Sequence, residues 1–253
     1  AGNDPGDPVL AAAVATGVRR GARVVVAAPA EGPLRDAAAG RAAVLAPRLP
    51  VPDEFALSRY LAAGLATLHT VDPGIRVDLA ALADELDHEA LRNSAAREVF
   101  TNAAKALAQR LSTGGVVLAG DSSATLALAR HLSAVLLRVG HRVVAAAGLP
   151  DALVALRSGA GFGGGLSDVD ALFHDEQIDG PLPARLRVLA LTLTAERSAL
   201  SARVEHFAEV DVVGAEDVPD AATDPVAVGS AEQQLALLAL RIEMAAVYLW
   251  LAE

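Results

Sequence analysis

The feature that most constrains this chain is a recurring unit: a short β-branched run, a loop of small residues, then a helical segment. Val116 to Ala119 (VVLA) is followed by Gly120-Asp121-Ser122-Ser123 and by helical spacing to about Val139. Gly140 stops that helix, and His141 to Ala147 reads as the next strand. Arg23 to Ala28 (RVVVAA), Leu186 to Thr192 and Val210 to Gly214 are further strand-like runs, with a helix over Glu196 to Phe207. Continuous apolar strands separated by helices require a parallel sheet with helices on both faces. Apolar residues make up 53% of the chain but aromatic ones only 3%, so Ala, Val and Leu must build the core. Such small side chains let helices approach a sheet closely.

The remaining segments fit this plan. Residues 1 to 8 form a Pro-, Gly- and Asp-rich loop, with Asp7 as N-cap and Pro8 opening a helix over Val9 to Arg20 that ends at Gly21. Pro33 to Ala39 reads as a short helix, and Val44-Leu45 as a short strand. Asp53 to Leu68 carries the apolar stripe Phe55, Leu57, Tyr60, Leu61 and Leu65. Helices are expected over Val77 to Leu91 and Glu98 to Ser112, a loop over Asp217 to Ser230, and a long apolar helix over Glu232 to Ala252. The opening Ala-Gly-Asn-Asp-Pro-Gly-Asp-Pro, without an initiator Met, reads as a loop following a strand, so a preceding segment is expected.

Several chemistries are excluded. There is no cysteine, hence no disulfide and no thiolate nucleophile or ligand. A net charge of −10 disfavours nucleic acid and anionic membrane surfaces. No uncharged run approaches the roughly 18 residues that span a bilayer; Arg138 and Arg142 divide the long stretch Leu132 to Leu156. A cytoplasmic protein is expected. His69, His88, His131, His141 and His206 are scattered without a metal-ligand pattern, so neither a metal nor a cofactor is expected. No serine sits in a GxSxG elbow. Gly159 to Gly164 spells GxGxxG, but after a helix and with no helix following, so it reads as a connector.

Two constellations can carry chemistry. At Gly120-Asp121-Ser122-Ser123 a strand delivers a hydroxyl-rich turn to a helix N-terminus, where amide groups and the helix dipole attract phosphate or sugar oxygens. Asp121 or Ser122 could equally serve only as a cap. His174-Asp175-Glu176-Gln177-Ile178-Asp179 packs an imidazole among carboxylates, as proton transfer on a sugar requires, or as a solvated acidic loop would. Lys105 is a rare lysine on an Arg-rich chain, either functional or a solvated helix residue.

The order of these motifs resembles the SIS (sugar isomerase) fold of the dual phosphoglucose/phosphomannose isomerases, and within it the actinobacterial TobH-like proteins. Phe173-His174-Asp175-Glu176-Gln177-Ile178-Asp179-Gly180 is similar to their His-Asn-Glu-Ile-x-Gly stretch. Thr101 to Ala108 with the strand Val117 to Gly120 is similar to the start of their second lobe, and Val247 to Ala252 to their closing helix. Gly21 to Val25 through Gly32-Pro33-Leu34 resembles the second half of their first lobe, and Pro52 to Phe55 and Asp179 to Pro183 fit the same series.

The resemblance implies two flavodoxin-like α/β/α lobes with parallel sheets. It places the first lobe's C-terminal part at 1–75, a connecting helix at 76–97, the second lobe at 98–231 and a C-terminal helix at 232–253. It further implies a homodimer and a hexose 6-phosphate ligand. His174 takes the place of the ring-opening histidine. Gly120, Asp121, Ser122, Ser123, Arg130 and Lys105 become candidate ligand contacts.

The chain departs from the family at three points. Gly2 to Asp7 brings carboxylates where the family has a Ser/Thr-rich phosphate loop. Pro52-Asp53 replaces Pro-Arg, and an Arg-x6-Glu pattern counted from Arg130 ends on Leu137, leaving Glu176 as substitute base. Three functions stay open: a sugar-phosphate-binding protein with a degenerate site, an active aldose–ketose isomerase, and a non-catalytic partner in mannose metabolism.

Overall fold

The computed structural model describes residues 1–158, 185–218 and 229–252. It divides into two compact units, Ala1–Leu82 and Ala83–Glu253.

In the first unit, α1 (Pro8–Arg19) starts as its sequence dictates: Asp7 Oδ1 accepts from the Val9 amide at 2.7 Å and Pro8 needs no donor partner. Gly21, at φ +70°, turns the chain out of the helix. β1 (Val24–Val26) and β2 (Ala42–Val44) pair in parallel around α2 (Gly32–Ala38). Val14, Val26, Ala28, Leu34 and Ala38 form the small core between α1, α2 and this sheet. Asp53–Phe55 is a single 3-10 turn rather than the start of the helix, and α3 spans Leu57–Val71.

The boundary between the units falls inside α4 (Leu79–Arg92). In the second unit, β3 (Val116–Gly120), β4 (Ala145–Gly148), β5 (Arg187–Leu191) and β6 (Val210–Val213) form an all-parallel sheet in the order β4-β3-β5-β6. The registers set Gly120 beside both Gly148 and Leu191, and Leu191 beside Val213. Side chains of neighbouring strand residues point to opposite faces. Val117, Ala119, Val188 and Ala190 pack with Leu149 and Ala152 of α7 (Leu149–Arg157) and with Leu200 and Val204 of α8 (Thr194–Val204). Leu118, Leu189 and Leu191 point the other way and are buried to 1% exposure or less. On that side α6 (Ser123–Arg138) lies on β3 and β4, and α9 (Ala231–Leu251) packs on α5 (Ala103–Ser112) and α6. The parallel sheets and the long C-terminal helix bear out the α/β expectation.

Two boundaries differ for local reasons. The helix expected over Glu98 to Ser112 is broken, because Asn102 adopts extended backbone and caps α5, accepting from the Lys105 amide at 2.9 Å. The strand expected from His141 begins only at Ala145, since His141 occupies a left-handed conformation at φ +49° that ladder pairing excludes.

α9 alone among the described helices is long and apolar enough to cross a membrane. Yet 61% of its apolar window is buried inside the protein. Its internal charges are also partnered by the same unit. Arg241 donates to Glu89, and Glu243 Oε1 lies 3.0 Å from His131 Nε2. A core helix reads this way.

Candidate functional site

The sheet order fixes where a ligand can bind. β3 leads into α6 on one face, whereas its neighbour β5 leads into α8 on the other. Where adjacent strands send their helices to opposite faces, a crevice opens at the carboxyl ends of the strands, and ligands of open α/β sheets settle there.

One wall of the crevice is Gly120-Asp121-Ser122-Ser123. Gly120 is demanded by packing: a Cβ there would lie 2.5 Å from the Leu126 Cα and 2.5 Å from the Thr125 carbonyl carbon. The missing side chain lets the first turn of α6 sit directly on the strand end. Ser122 forms a reciprocal capping box with Thr125. Its Oγ accepts from the Thr125 amide at 3.3 Å, and its own amide donates to Thr125 Oγ1 at 3.1 Å. Ser122 is therefore a cap, and its hydroxyl is engaged. The amides of the next two residues, Ser123 and Ala124, are those that an α-helix leaves without intrahelical partners. Ser123 is exposed. Asp121 is paired with Arg203 of α8, Nη1 to Oδ2 at 2.5 Å.

The other wall follows β5. The Thr194 amide donates to Gln234 Oε1 at 2.8 Å, and the Thr194 hydroxyl donates to Glu216 Oε2 at 3.3 Å. Arg197 bridges Glu216 at 3.0 Å and Asp217 at 2.9 Å. Burial alone would lower the Arg197 pKa, but the hydrogen bond and charge of Asp217, then of Glu216, outweigh it and raise it. The guanidinium is a fixed cation already neutralised. Glu196, in the first turn of α8, has a buried Oε2 with no hydrogen-bond partner among the described residues.

Beyond β6 the loop Gly214 to Val218 borders a cleft of about 430 Å³, lined also by Ala103, Leu107, Arg110 and Arg241. Arg241 holds this loop. It is 1% exposed and donates to Glu89 Oε1 at 2.6 Å and to the carbonyls of Gly214, Ala215 and Asp217. Burial would raise the Glu89 pKa, but Arg241 and then Arg92 overcome that and hold the carboxyl below its usual range.

Gly120, Asp121, Ser122 and Ser123 thus stand together at the crevice. Arg130 lies further along α6, on its exposed surface. Lys105, the only lysine of the chain, donates to the carbonyls of Ala95 and Arg97 at 2.8 and 2.6 Å and lies over the Tyr248 ring. It closes the loop before α5 rather than facing the crevice. His174 and Glu176 fall outside the described residues, as do Gly159 to Gly164. Among the described residues, no cluster of His, Asp and Glu is placed to hold a metal ion.

Two groups escaped the sequence reading. Glu196 was legible only as a residue of a predicted helix, although its place in the turn after a strand was the available signal. In the first unit, Arg59 and Tyr60 both donate to Asn3 Oδ1, so a cation adjoins the Gly2 to Asp7 loop even though Asp53 replaces the expected arginine. Within that loop the carboxylates serve the backbone: Asp4 Oδ1 accepts from the Gly6 amide at 2.7 Å, and Asp7 caps α1.

No family model matches the chain, and no curated protein matches it in sequence. Among solved structures, a glucose-6-phosphate isomerase like protein from Thermus thermophilus is similar. The likeness has a TM-score of 0.53 and 19% identity, and covers 90% of this chain and 71% of that one. At that identity the similarity is one of fold: the chain shares the α/β architecture of an isomerase-like protein.

Proposed function

We propose that this chain is a sugar-phosphate-binding protein of the SIS type, related to the phosphoglucose/phosphomannose isomerases and of the TobH-like kind, with a degenerate catalytic site. In this reading 1–75 is the end of a first lobe, 76–97 a connecting helix, 98–231 the second lobe and 232–253 a closing helix. It acts in the cytoplasm as a homodimer. The observation that carries the reading is the glycine turn Gly120 to Ser123, set at the carboxyl end of β3 where the Ser123 and Ala124 amides open α6 without intrahelical partners. The fold likeness supports it.

The degenerate aspect has a physical basis. The crevice cations Arg203 and Arg197 are tied to Asp121, Glu216 and Asp217, so a phosphoryl group meets helix amides rather than a free guanidinium. Weak binding, with a dissociation constant of about 1 mM, follows from so few charged contacts. The family pattern puts Leu137 where a base belongs, and loss of a general base removes roughly 10²- to 10⁴-fold in rate.

Calorimetric titration of the protein with fructose 6-phosphate and mannose 6-phosphate, alongside an assay of their interconversion, tests this. Binding without turnover is expected. Absence of binding to any hexose or aminosugar phosphate contradicts the proposal. Turnover abolished by His174→Gln would show an active isomerase instead, with His174 opening the ring and Glu176 as base.

A further inference from the structure

A second cavity shares no residue with the crevice. It lies between α5 and the last turn of α9 and holds about 340 Å³, a size that falls within the roughly 300–1,000 Å³ of small-ligand pockets. Val99, Ala108, Leu249, Leu251 and the Tyr248 side chain give it apolar walls, and Lys105 lines it with them. Lys105 differs from the cations of the 430 Å³ cleft. There Arg110 pairs with Asp211 at 2.9 Å and Arg241 with Glu89 at 2.6 Å. The Lys105 ammonium meets the carbonyls of Ala95 and Arg97 at 2.8 and 2.6 Å and the Tyr248 ring at 5.4 Å, and no carboxylate pairs with it among the described residues. Carbonyls fix the ammonium in place without cancelling its charge, and they take two of its three donors. In a chain with 31 acidic and 21 basic residues, the fold leaves this one half-buried cation unneutralised against an apolar wall.

We infer that this groove binds an aliphatic carboxylate of medium chain length, with its head on Lys105 and its tail along Val99, Tyr248 and Leu251. Charge complementarity selects the head: a carboxylate takes the remaining N–H in a charge-assisted hydrogen bond and neutralises the ammonium. The walls select the tail. Methylenes gain by leaving water there, whereas sugar hydroxyls would lose hydrogen bonds on the same surface. The net charge of −10 opposes any approaching anion at long range, so affinity comes from these short contacts and is modest. The site is independent of the crevice and of the sugar-phosphate reading.

The test titrates the whole chain by calorimetry with hexanoate, octanoate, decanoate and, as the uncharged control, octanol. Affinity should rise roughly fourfold per added methylene until the tail outgrows the groove, as burial of a CH₂ does. Lys105→Met should weaken octanoate about tenfold and leave octanol unchanged, because only the charged head is lost. Should Lys105→Met fail to fold, Leu251→Ser serves instead. Leu251 is 63% exposed, so the fold should tolerate the change, while octanoate and octanol should both weaken severalfold. Because Lys105 is the only lysine, a single ¹³C-methylated side-chain amine reports the site, and its NMR signal should shift saturably with octanoate. Octanol binding as tightly as octanoate overturns the inference, as does octanoate affinity unchanged in Lys105→Met or, where that variant does not fold, in Leu251→Ser. So does failure of wild type to bind octanoate, including the case in which light scattering shows the groove sealed between two copies of the chain. None of these outcomes touches the sugar-phosphate reading, which the hexose phosphate titrations test separately.

Discussion

At the residue scale, charges decide more than their number indicates. Arg241 and Glu89 are each 1% exposed and 152 positions apart, and both must be charged to satisfy one another. Arg241→Met leaves the buried Glu89 with Arg92 as its remaining cation among the described residues and with the Asn93 amide. Breaking such a pair costs about 3–5 kcal/mol, and urea denaturation at neutral pH should show a loss of that size. The same pair sets an acid limit. The folded-state pKa of Glu89 is depressed, so its stabilising contribution is complete above the unfolded value, about 4.3, and fades as the pH falls through the lower folded value. Denaturation midpoints should therefore drop below about pH 4.3 in wild type and less steeply in Glu89→Gln.

The crevice offers the opposite experiment. Asp121 holds a partly exposed Arg203, so Asp121→Asn releases that guanidinium. Sugar-phosphate affinity, read by calorimetry, should rise severalfold in low salt and the gain should shrink as salt is added. None of these partnerships was legible in sequence. An arginine inside an apolar helix demands a partner, but which carboxylate answers depends on packing across the whole unit. Glu196 is the same case: its orphan oxygen is a product of tertiary burial.

At the scale of elements, the sequence was more informative where one local rule acted. Asp7 with Pro8, and Gly21 after α1, mark that helix's ends, and the structure places them so. The apolar, Val-containing runs at 24–26, 116–120, 187–191 and 210–213 are strands because nothing local competes. Sequence reading fell short where a side chain overrode a periodic stripe. Asn102 stops an otherwise continuous helical pattern by capping α5, and its own amide side chain donates to the Ser94 carbonyl. The Gly120-to-Ser123 turn shows both outcomes. Its position was evident, and a cap at Asp121 or Ser122 was one of two open readings; the bond to Thr125 is what assigns the cap to Ser122. Ser122→Ala should lower stability by about 1 kcal/mol, a cap's usual worth, measured by thermal denaturation. Gly120→Ala should do more, about 1–3 kcal/mol as overpacking costs, because backbone of α6 must move to admit the methyl group. It should weaken ligand binding as well.

For the whole molecule, the two units differ in how they bury their sheets. β3 is buried along its length and β5 at all but its first residue, whereas Val25 and Val44 of the two-stranded sheet remain exposed. Hydrogen exchange should accordingly be slowest in β3 and β5 and faster in β1 and β2, because protection follows burial of the opening unit. The α/β class, the parallel sheets and the buried C-terminal helix were all readable from the alternation of runs and turns. The sheet order was not, since neighbouring strands in space need not be neighbours in sequence; it is the order β4-β3-β5-β6 that creates the crevice.

The central claim is that this crevice holds a phosphorylated sugar between the α6 amides and the turn after β5. Amide NMR of the ¹⁵N-labelled protein titrated with glucose 6-phosphate to about 10 mM, well above a millimolar dissociation constant, reads that directly. The account predicts saturable shifts centred on Gly120 to Thr125 and Thr192 to Arg197. Saturable shifts confined to other parts of the chain, or none at all, would contradict it.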